Sequence, residues 1–574
     1  MGQKQQFRKN ESMESSGSFL RFVSVVFFVG ITALYPLYMP LGRYWTMTEN
    51  KKDLFVKFTI ITALVILATL FYLLKQKKRF YVKNYFITDE PVRRLSVAEW
   101  AIAGFILWAF ISALLSPYSD VWGGFRHEGF FPLLCYVLTF FIIARFYMPK
   151  ELHFVIFAGS AIILALIGIL QFFGHDFLNL FPYTASVFTT AGGSAVYGPV
   201  TAGYPVVEVF TDYGPLSEYF RTTLGNLNIV AAYCSFTTVL FTALFMITKS
   251  NRKFVYPVYL AASMTSFMLI LIAGDGADGG RLAIMVAMLL LIPYWVSDRH
   301  RFGRICITLS GWCLMYLWYN SYLSSMRNKI DTSPNLAAND RIFLENFTPR
   351  SSALFGIVGV TALVLLVLGL GVIFLLKKWA EKPMKIVGIS LLVFIFAGGL
   401  LFVEIAGRHF SEQPDNLIWQ AREVMHGNLD DDFGSSRGFV WKRGLSVIPE
   451  NPVFGTGPDT FYYALSPETQ EEAKAAYGVS FDKAHNTFLQ IAVCLGIPAL
   501  LAYLVFLGGL FIPAIKRAFN RPILLAFGAG ALSYIIQSFF CVEVPIVSPL
   551  FWVALGVMAG EIWRERIGCD VFDF

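Results

Sequence analysis

Long apolar blocks are the feature that most constrains how this 574-residue chain folds. A helix needs about 20 apolar residues to cross a hydrocarbon core of roughly 30 Å. Because lipid offers no hydrogen-bond partners, only helices and closed barrels span it, and barrel strands would give alternating segments of about ten residues. The blocks therefore predict an all-α polytopic membrane protein. We count about fourteen transmembrane helices, at residues 20–39, 54–74, 98–115, 129–147, 154–173, 229–248, 255–273, 282–297, 304–322, 353–376, 386–406, 488–512, 522–541 and 548–563.

The composition supports this class. Hydrophobic residues make up 56% of the chain and charged residues 15%, against about 45–50% and about 25% in soluble domains. These values exclude an ordinary soluble enzyme and a disordered protein. The first block follows a weakly basic stretch and lacks a small-residue cleavage site, so it is predicted to be an uncleaved span rather than a signal peptide.

The Lys and Arg residues between the blocks indicate which way the chain faces, because cytoplasmic loops are enriched in them. With a cytoplasmic N-terminus, fourteen spans place 28 of the 46 Lys and Arg residues inside, with only 12 of the 39 acidic residues. The inside balance is then +16 and the outside balance −9. We therefore predict a multi-pass membrane protein with both termini on the cytoplasmic side. The membrane explains the basic excess, so no nucleic-acid partner is expected.

The polar mass lies on the predicted outer face. A cytoplasmic tail at 1–19 precedes helices 1–11 at 20–406, a large extracytoplasmic loop at 407–487, helices 12–14 at 488–563 and a cytoplasmic tail at 564–574. Inside loops are mostly short, and the chain has no GxxxxGK[ST] nucleotide-binding loop. Chemistry is therefore expected at the outer face, driven by an already activated substrate.

The loop 407–487 carries the densest set of polar motifs. Residues 415–427 place apolar side chains at helical spacing, which predicts an amphipathic helix on the membrane or on the bundle. Another helix is predicted to begin near Arg437, with a serine cap. Asp482-Lys-Ala-His485-Asn486 directly precedes span 12, so His485 is predicted on the first turn of that helix.

Several motifs follow one another in a fixed order. They read Trp122-Gly-Gly-Phe-Arg126-His-Glu128-Gly129, Arg221-Thr-Thr-Leu-Gly225-Asn226-Leu227-Asn228, Gly280-Arg281, Arg437, Trp441, Asn451-Pro452-Val-Phe454-Gly455-Thr-Gly457, Phe461, Ala484-His485-Asn486-Thr-Phe488-Leu489-Gln490 and Leu495-Gly496-Ile497. This order resembles the O-antigen ligase superfamily. Leu227 stands where the family more often has proline, and Gly280 where it usually has serine.

The resemblance implies a glycosyltransferase-C-like helical bundle with a large outer loop between spans 11 and 12. It also implies a membrane enzyme that uses an undecaprenyl-pyrophosphate-linked glycan as donor. Superfamily members include O-antigen ligases, O-antigen polymerases and protein O-oligosaccharyltransferases. The resemblance therefore indicates the chemistry more closely than the acceptor.

The residue chemistry agrees with such a donor. Guanidinium groups stay charged and bind phosphate oxygens in pairs, which makes Arg126, Arg221, Arg281 and Arg437 candidates for binding the pyrophosphate. His485 is the candidate base or acceptor-orienting residue, because an imidazole accepts protons near neutral pH.

Four further residues are candidates for binding the substrate. Asn486 is expected to orient His485 or bind sugar. Asn226 and Asn228 either bind substrate or cap span 6, and Trp441 is either a sugar platform or an anchor at the membrane interface.

The sequence gives no reason to expect a metal or a cofactor. The acidic runs Asp430-Asp431-Asp432 and Asp275-Gly-Ala-Asp278 favour solvated turns, because neither has a complete set of ligands at cation-binding spacing. The arginines already supply positive charge for a pyrophosphate.

Three functions compete at this point. The first is transfer of a lipid-linked glycan to a glycan, lipid or protein acceptor, the second is polymerisation of lipid-linked repeats, and the third is transport of a polysaccharide or lipid. Transporters usually carry ionisable groups or broken helices at mid-membrane, whereas charges here lie near the predicted span ends. Transfer is the preferred hypothesis, and the acceptor stays open.

Overall fold

The computed structural model describes most of the chain. The described residues are 18–39, 47–76, 95–123, 127–173, 185–189, 195–199, 208–209, 222–249, 252, 254–273, 277–330, 352–376, 378–409, 416–541 and 543–566. Within these ranges the architecture is a bundle of helices with polar loops at both ends. A small antiparallel sheet of Ala185–Thr189, Ala195–Pro199 and Glu208–Val209, with the first strand in the centre, lies in the segment before span 6.

Twenty helices are numbered here in chain order. They are α1 (Ser18–Leu37), α2 (Met47–Lys75), α3 (Val97–Leu115), α4 (Phe130–Phe146), α5 (Glu151–Phe172), α6 (Leu227–Ile247), α7 (Val255–Ile272), α8 (Asp278–Leu290), α9 (Ile292–Val296), α10 (Arg299–Ile330), α11 (Ser352–Phe374), α12 (Glu381–His409), α13 (Leu417–Met425), α14 (Phe433–Val447), α15 (Phe461–Ala464), α16 (Pro467–Tyr477), α17 (Thr487–Leu495), α18 (Ile497–Arg517), α19 (Pro522–Ser538) and α20 (Ser548–Arg566). Short 3-10 turns occupy Ser119–Trp122 and Ile448–Glu450, and α1 contains a π-helical turn at Gly30–Leu34.

The helices confirm a polytopic helical membrane protein. Each of the fourteen apolar blocks is helical over most of its length, and nine helices in the described part of the chain are long and apolar enough to span a membrane. Two predicted spans are interrupted rather than continuous: α8 gives way to α9 just before Pro293, and α17 gives way to α18 at Gly496. The count of fourteen spans remains a prediction.

The centre of the bundle is α6. Nearly all of its residues are buried, and it packs against α7, α8 and α19. In contrast, α11 and α12 expose most of their large apolar side chains, as expected for helices that face lipid. The predicted amphipathic helix is present as α13, which packs against α12.

The helix break at Gly496 is closed by the motif loop 451–457. The backbone N–H groups of Thr456 and Gly457 donate to the carbonyls of Val493 and Cys494, at 3.2 and 2.8 Å. These carbonyls would otherwise end a helix without partners. A side chain at Gly496, where φ is +84°, would collide with the carbonyl of Val453. The break is therefore a built feature rather than a frayed end.

The same loop is fixed from its other side by α3. Ser112 Oγ donates to the carbonyl of Phe454 and Ser116 Oγ to that of Thr456, both at 2.6 Å. Trp108 stacks on the ring of Phe454, with 4.9 Å between ring centroids. Hydrogen bonds from both sides let irregular backbone lie against the ends of apolar helices.

Contacts between helix ends follow the alternation expected for antiparallel spans. The Tyr35 hydroxyl donates to the carbonyl of Pro545, and Thr223 donates to the carbonyl of Pro36 at 2.6 Å; all four residues lie at predicted outer ends. At predicted inner ends, Arg145 pairs with Glu99. This pattern supports the alternation, and the assignment of sides remains a prediction.

A buried ion cluster joins three predicted inner ends. Glu561 on α20 accepts from Arg521 at 3.2 Å and from Arg564 at 2.9 Å. Arg564 also donates to the carbonyl of Tyr147, at 3.0 Å, beyond the end of α4. The one carboxylate therefore neutralises two guanidinium groups that are both buried.

We expect Glu561→Gln to destabilise the protein by about 3–5 kcal/mol, because it removes the carboxylate that two buried guanidinium groups share. Thermal unfolding in detergent would measure the loss. Glu471→Gln, which removes an exposed pair with Lys474, is the matched control and should cost about 0–1 kcal/mol. Equal unfolding temperatures for the two variants would contradict the stabilising role of the cluster.

Candidate active site

A small cavity lies where several motif segments meet at the predicted outer end of the bundle. Its volume is about 50 Å³. It is bordered by Glu128, Leu133, Pro458, Asp459, Lys483, His485, Asn486, Thr487, Gln490, Ile491, Cys494, Leu495, Cys541 and Glu543. Two of the sequence-predicted residues, His485 and Asn486, therefore share a wall with four charged residues that are far apart in the sequence.

His485 occupies a strained backbone position. Its φ is +49°, in the left-handed region, and it precedes the helix instead of lying on the first turn. Asn486 is the N-cap of α17, where its side-chain oxygen accepts from the N–H groups of Phe488 and Leu489 at 3.0 and 3.1 Å. The predicted helical placement of His485 is therefore wrong by two residues, because the amide of Asn486 caps the helix better than an imidazole.

The peptide before His485 is held at both ends. Gln490 accepts from the N–H of Ala484 at 2.8 Å, and Trp441 Nε1 donates to the carbonyl of Ala484 at 3.1 Å. These two bonds fix the backbone from which the imidazole projects. Trp441 thus has a positioning contact, in addition to packing against the rings of Phe433 and Phe540.

Lys483 forms the electrostatic centre of the cavity wall. Its ammonium pairs with Glu128 and lies 3.3 Å from Asp459, and all three residues are buried. The backbone N–H of Glu128 also donates to Asp459, at 3.2 Å. The cluster thereby connects three loops at positions 128, 459 and 483.

The charges in this cluster shift one another. Burial lowers the pKa of Lys483, but attraction to Asp459 and Glu128 outweighs it and leaves the pKa above its usual range. Burial raises the pKa of Glu128 to about 7, against the opposing attraction of Lys483. Lys483 is therefore a fixed cation, while Glu128 titrates near neutrality.

Arg437 and Arg281 both lie near the C-terminal end of α19, and neither of them borders the cavity. Arg437 donates to the carbonyl of Gly434 and, through Nε, to that of Phe540 at 2.8 Å. Arg281 pairs with Asp278 at 2.9 Å and donates to the carbonyl of Leu271 at 3.2 Å. The turn that carries it contacts Gln537, three residues before Phe540.

The remaining site predictions divide into two groups. Asn226 caps α6, since its side chain accepts from the N–H of Asn228 at 2.8 Å, and both side chains are exposed. Arg126 and Arg221 lie outside the described residues. Their neighbours His127 and Thr222 have φ values of +66° and +51°.

Left-handed backbone is concentrated in these same loops. Within the described ranges, the non-glycine residues with positive φ are His127, Thr222, Ser435, Ser436, Asp459 and His485. Each lies beside or within a motif quoted above. Such conformations cost about 1–3 kcal/mol each and persist where the surroundings hold them in place, as they do at many binding and catalytic sites.

Sequence reasoning missed the charged residues that complete the site. Glu128, Asp459 and Lys483 all lie within or next to motif segments, while Glu543 lies in the short loop between α19 and α20. Their proximity to the motifs was a usable signal. In the parts of the chain that the structure describes, no group of three or more His, Cys, Asp or Glu side chains has the arrangement of a metal site.

The fold and site define a class: a helical membrane protein whose polar motifs converge at one end of the bundle. Residues 351–504, a little over a quarter of the chain, match the family described as O-antigen ligase. The match includes α13 to α17 and the segments that hold Arg437, Lys483 and His485. The matched segment is therefore similar to O-antigen ligases, in agreement with the resemblance of the motifs. No curated protein matches the chain.

We expect Lys483→Met to destabilise the predicted outer end by about 3–5 kcal/mol, because it removes the cation that two buried carboxylates share. Thermal unfolding in detergent would report the loss, and adding Glu128→Gln should restore part of it. Lys442→Met removes an exposed pair with Asp431 and is the control, at about 0–1 kcal/mol. A Lys483→Met protein as stable as this control would refute the role of the ion cluster.

Proposed function

We propose that this protein is a membrane glycosyltransferase of the outer face of the bacterial cytoplasmic membrane. It moves a glycan from an undecaprenyl-pyrophosphate-type carrier to the hydroxyl of an acceptor. The observation that carries the proposal is the O-antigen ligase match, because it covers the segment that contains both Arg437 and the cavity residue His485. O-antigen ligases transfer glycosyl groups. What we propose beyond this is the identity of the donor and the side of the membrane on which the reaction takes place.

The reaction needs positive charge where the pyrophosphate leaves. As the bond between the anomeric carbon and the phosphate oxygen breaks, its electron pair stays on the phosphate. Arg281 and Arg437 would bind this charge, together with Arg126 and Arg221 if their loops lie alongside. Both described arginines are anchored to backbone carbonyls, so their guanidinium groups would need little reorganisation as the charge develops.

The acceptor hydroxyl attacks the anomeric carbon and gives up a proton. His485 acts on this hydroxyl, either as the base or as the group that orients it. The cavity supports such a role because its volume of about 50 Å³ suits a hydroxyl or a few water molecules rather than a sugar ring. The sugar itself would stay outside, under the loop 407–487, and the donor lipid would enter laterally between helices.

A reconstituted assay tests this function. Purified protein in proteoliposomes receives a labelled lipid-pyrophosphate glycan, with membrane extract as the source of acceptors, and the products are resolved by gel and by mass. Glycan on a new carrier supports transfer to an acceptor. A ladder of multiples on the original lipid would instead indicate a repeat polymerase, and intact donor moved across the bilayer would indicate transport.

We expect His485→Ala to lower the transfer rate by about 10²-fold or more, because the acceptor hydroxyl loses its base or its orienting group. Initial rates in the proteoliposome assay measure this. His409→Ala is the control, since the His409 ring is exposed and bonds only to the carbonyl of Ile405 in its own helix. Wild-type turnover in His485→Ala would remove His485 from the reaction.

We expect Arg437→Lys to lower transfer about tenfold or more, although the positive charge is kept. A lysine cannot hold the carbonyls of Gly434 and Phe540 in the forked geometry and still present donors to a phosphate. Arg443→Lys is the matched control, because Arg443 forms an exposed pair with Glu472 at 2.8 Å. Full activity in Arg437→Lys would argue against paired binding of phosphate oxygens at this position.

A further inference from the structure

Glu543 is a carboxyl group at the cavity that the motif analysis does not use. It lies in the loop between α19 and α20 and borders the cavity together with His485. Its Oε1 atom is buried, and no described residue donates a hydrogen bond to it. Buried carboxylate oxygens are normally satisfied by a donor. A carboxylate oxygen that can still accept a hydrogen bond, at a cavity of this size, is suited to bind a hydroxyl group that enters from outside.

The neighbouring charged residues are already committed to other partners. Lys483 is an ammonium held between Glu128 and Asp459, so it can donate hydrogen bonds but cannot accept a proton. Glu128 is engaged with Lys483, and Asp459 also accepts from the backbone of Glu128. Among the acidic groups bordering the cavity in the described ranges, Glu543 is therefore the one without an ion-pair partner.

The surroundings make this carboxyl unusually basic. Burial, followed by the charge of Glu128, raises the pKa of Glu543 to about 8 against the opposing attraction of Lys483. A base works best when its pKa lies near the working pH. The titratable and charged groups that face Glu543 from the packed elements are Glu128, Asp459, Lys483, His485, Cys541, Tyr136, Tyr503 and Tyr534.

The position of Glu543 also connects it to the phosphate side of the reaction. Three residues earlier, the carbonyl of Phe540 binds Arg437 Nε, and the ring of Phe540 packs against Trp441. Trp441 in turn holds the peptide that precedes His485. The loop between α19 and α20, through Phe540 and Glu543, thus positions a candidate phosphate ligand and a candidate proton acceptor relative to each other.

We propose that Glu543 is the catalytic base, which accepts the proton of the acceptor hydroxyl while His485 orients that hydroxyl. This inference rests on the proposed glycan transfer. The hydroxyl oxygen forms the new bond to the anomeric carbon, and its proton moves to Glu543 Oε1. The bond from the anomeric carbon to the pyrophosphate breaks, and the electron pair leaves with the phosphate. Glu543 then releases its proton to water.

The test compares Glu543→Gln, Glu543→Asp and His485→Gln with the wild type in the proteoliposome assay, across pH. Glu543→Gln keeps the shape but cannot accept a proton, so transfer should fall about 10²–10⁴-fold. The carboxylate exists above its pKa, so wild-type kcat/KM should fall as pH drops through about 8. This fall of kcat/KM at low pH should be absent from Glu543→Gln. It should persist in Glu543→Asp and His485→Gln, although both are slower than the wild type.

Two controls separate chemistry from folding. Glu450→Gln changes an exposed glutamate in the loop 407–487, away from Glu543, and should keep both the rate and the pH profile of the wild type. Infrared difference spectra of each protein, recorded across pH without substrate, should show a protonated-carboxyl band that titrates near pH 8 and is missing from Glu543→Gln. Matching unfolding temperatures would show that the glutamine variant is folded.

The outcomes are distinct. Transfer by Glu543→Gln at the wild-type rate and with the wild-type fall of kcat/KM at low pH would overturn the assignment of Glu543 and leave the proposed function standing. If the fall of kcat/KM at low pH survives in Glu543→Gln and is lost in His485→Gln, His485 is the base. That result would also overturn the assignment of Glu543 and leave the proposed function standing. Absence of glycan transfer by the wild type would overturn the proposed function and the step assigned to Glu543 together.

Discussion

The predicted outer end of this protein depends on one buried ammonium. Lys483 neutralises two carboxylates, Glu128 and Asp459, which lie 355 and 24 residues from it in the chain. Without a partner, any one of these charges would be strongly destabilising in a desolvated site. Because each charge belongs to a different loop, the loops must stay together for the charges to be paired. The cavity wall, including the backbone that leads to His485, follows from that requirement.

Backbone hydrogen bonding imposes a second constraint, which places irregular structure where apolar helices end. The break at Gly496 frees carbonyl groups of α17, and the loop 451–457 supplies the missing N–H donors. Serines on α3 satisfy carbonyls of that loop in turn. The helix break thus allows a polar loop to insert between α3 and α17, and the continuation of this loop brings Asp459 to the cavity. Interruption of an apolar span here builds a site instead of weakening the bundle.

The strained residues fit the same interpretation. Left-handed backbone at Asp459 and His485 costs free energy that neighbouring bonds must offset, and those bonds are visible for His485 in the contacts of Gln490 and Trp441. A side chain held in this way needs little further ordering when a substrate arrives, which is the physical meaning of preorganisation. The caps at Asn226 and Asn486 contribute to this rigidity by fixing where α6 and α17 begin.

Much of the architecture could be predicted locally. Apolar blocks give membrane helices because lipid leaves the backbone no alternative, and amphipathic spacing gave α13 correctly. The placement of His485 on a helix turn was wrong, because local sequence does not reveal which side chain wins the competition to cap a helix. Nor could hydropathy reveal the break at Gly496, because its apolar flanks read as one continuous span and only the loop 451–457 makes the break stable.

The sequence by itself determined the class of protein and the positions of most apolar helices, and it singled out His485 and its neighbouring motifs as candidates. The tertiary structure decided which charges share the cavity with it. Glu128, Asp459, Lys483 and Glu543 come from four separate segments, and their proximity depends on distances that no local pattern encodes. The attraction of Asp459 and Glu128, which keeps Lys483 a cation, and the desolvation that makes Glu543 a basic carboxyl likewise arise only when the helices pack and exclude water.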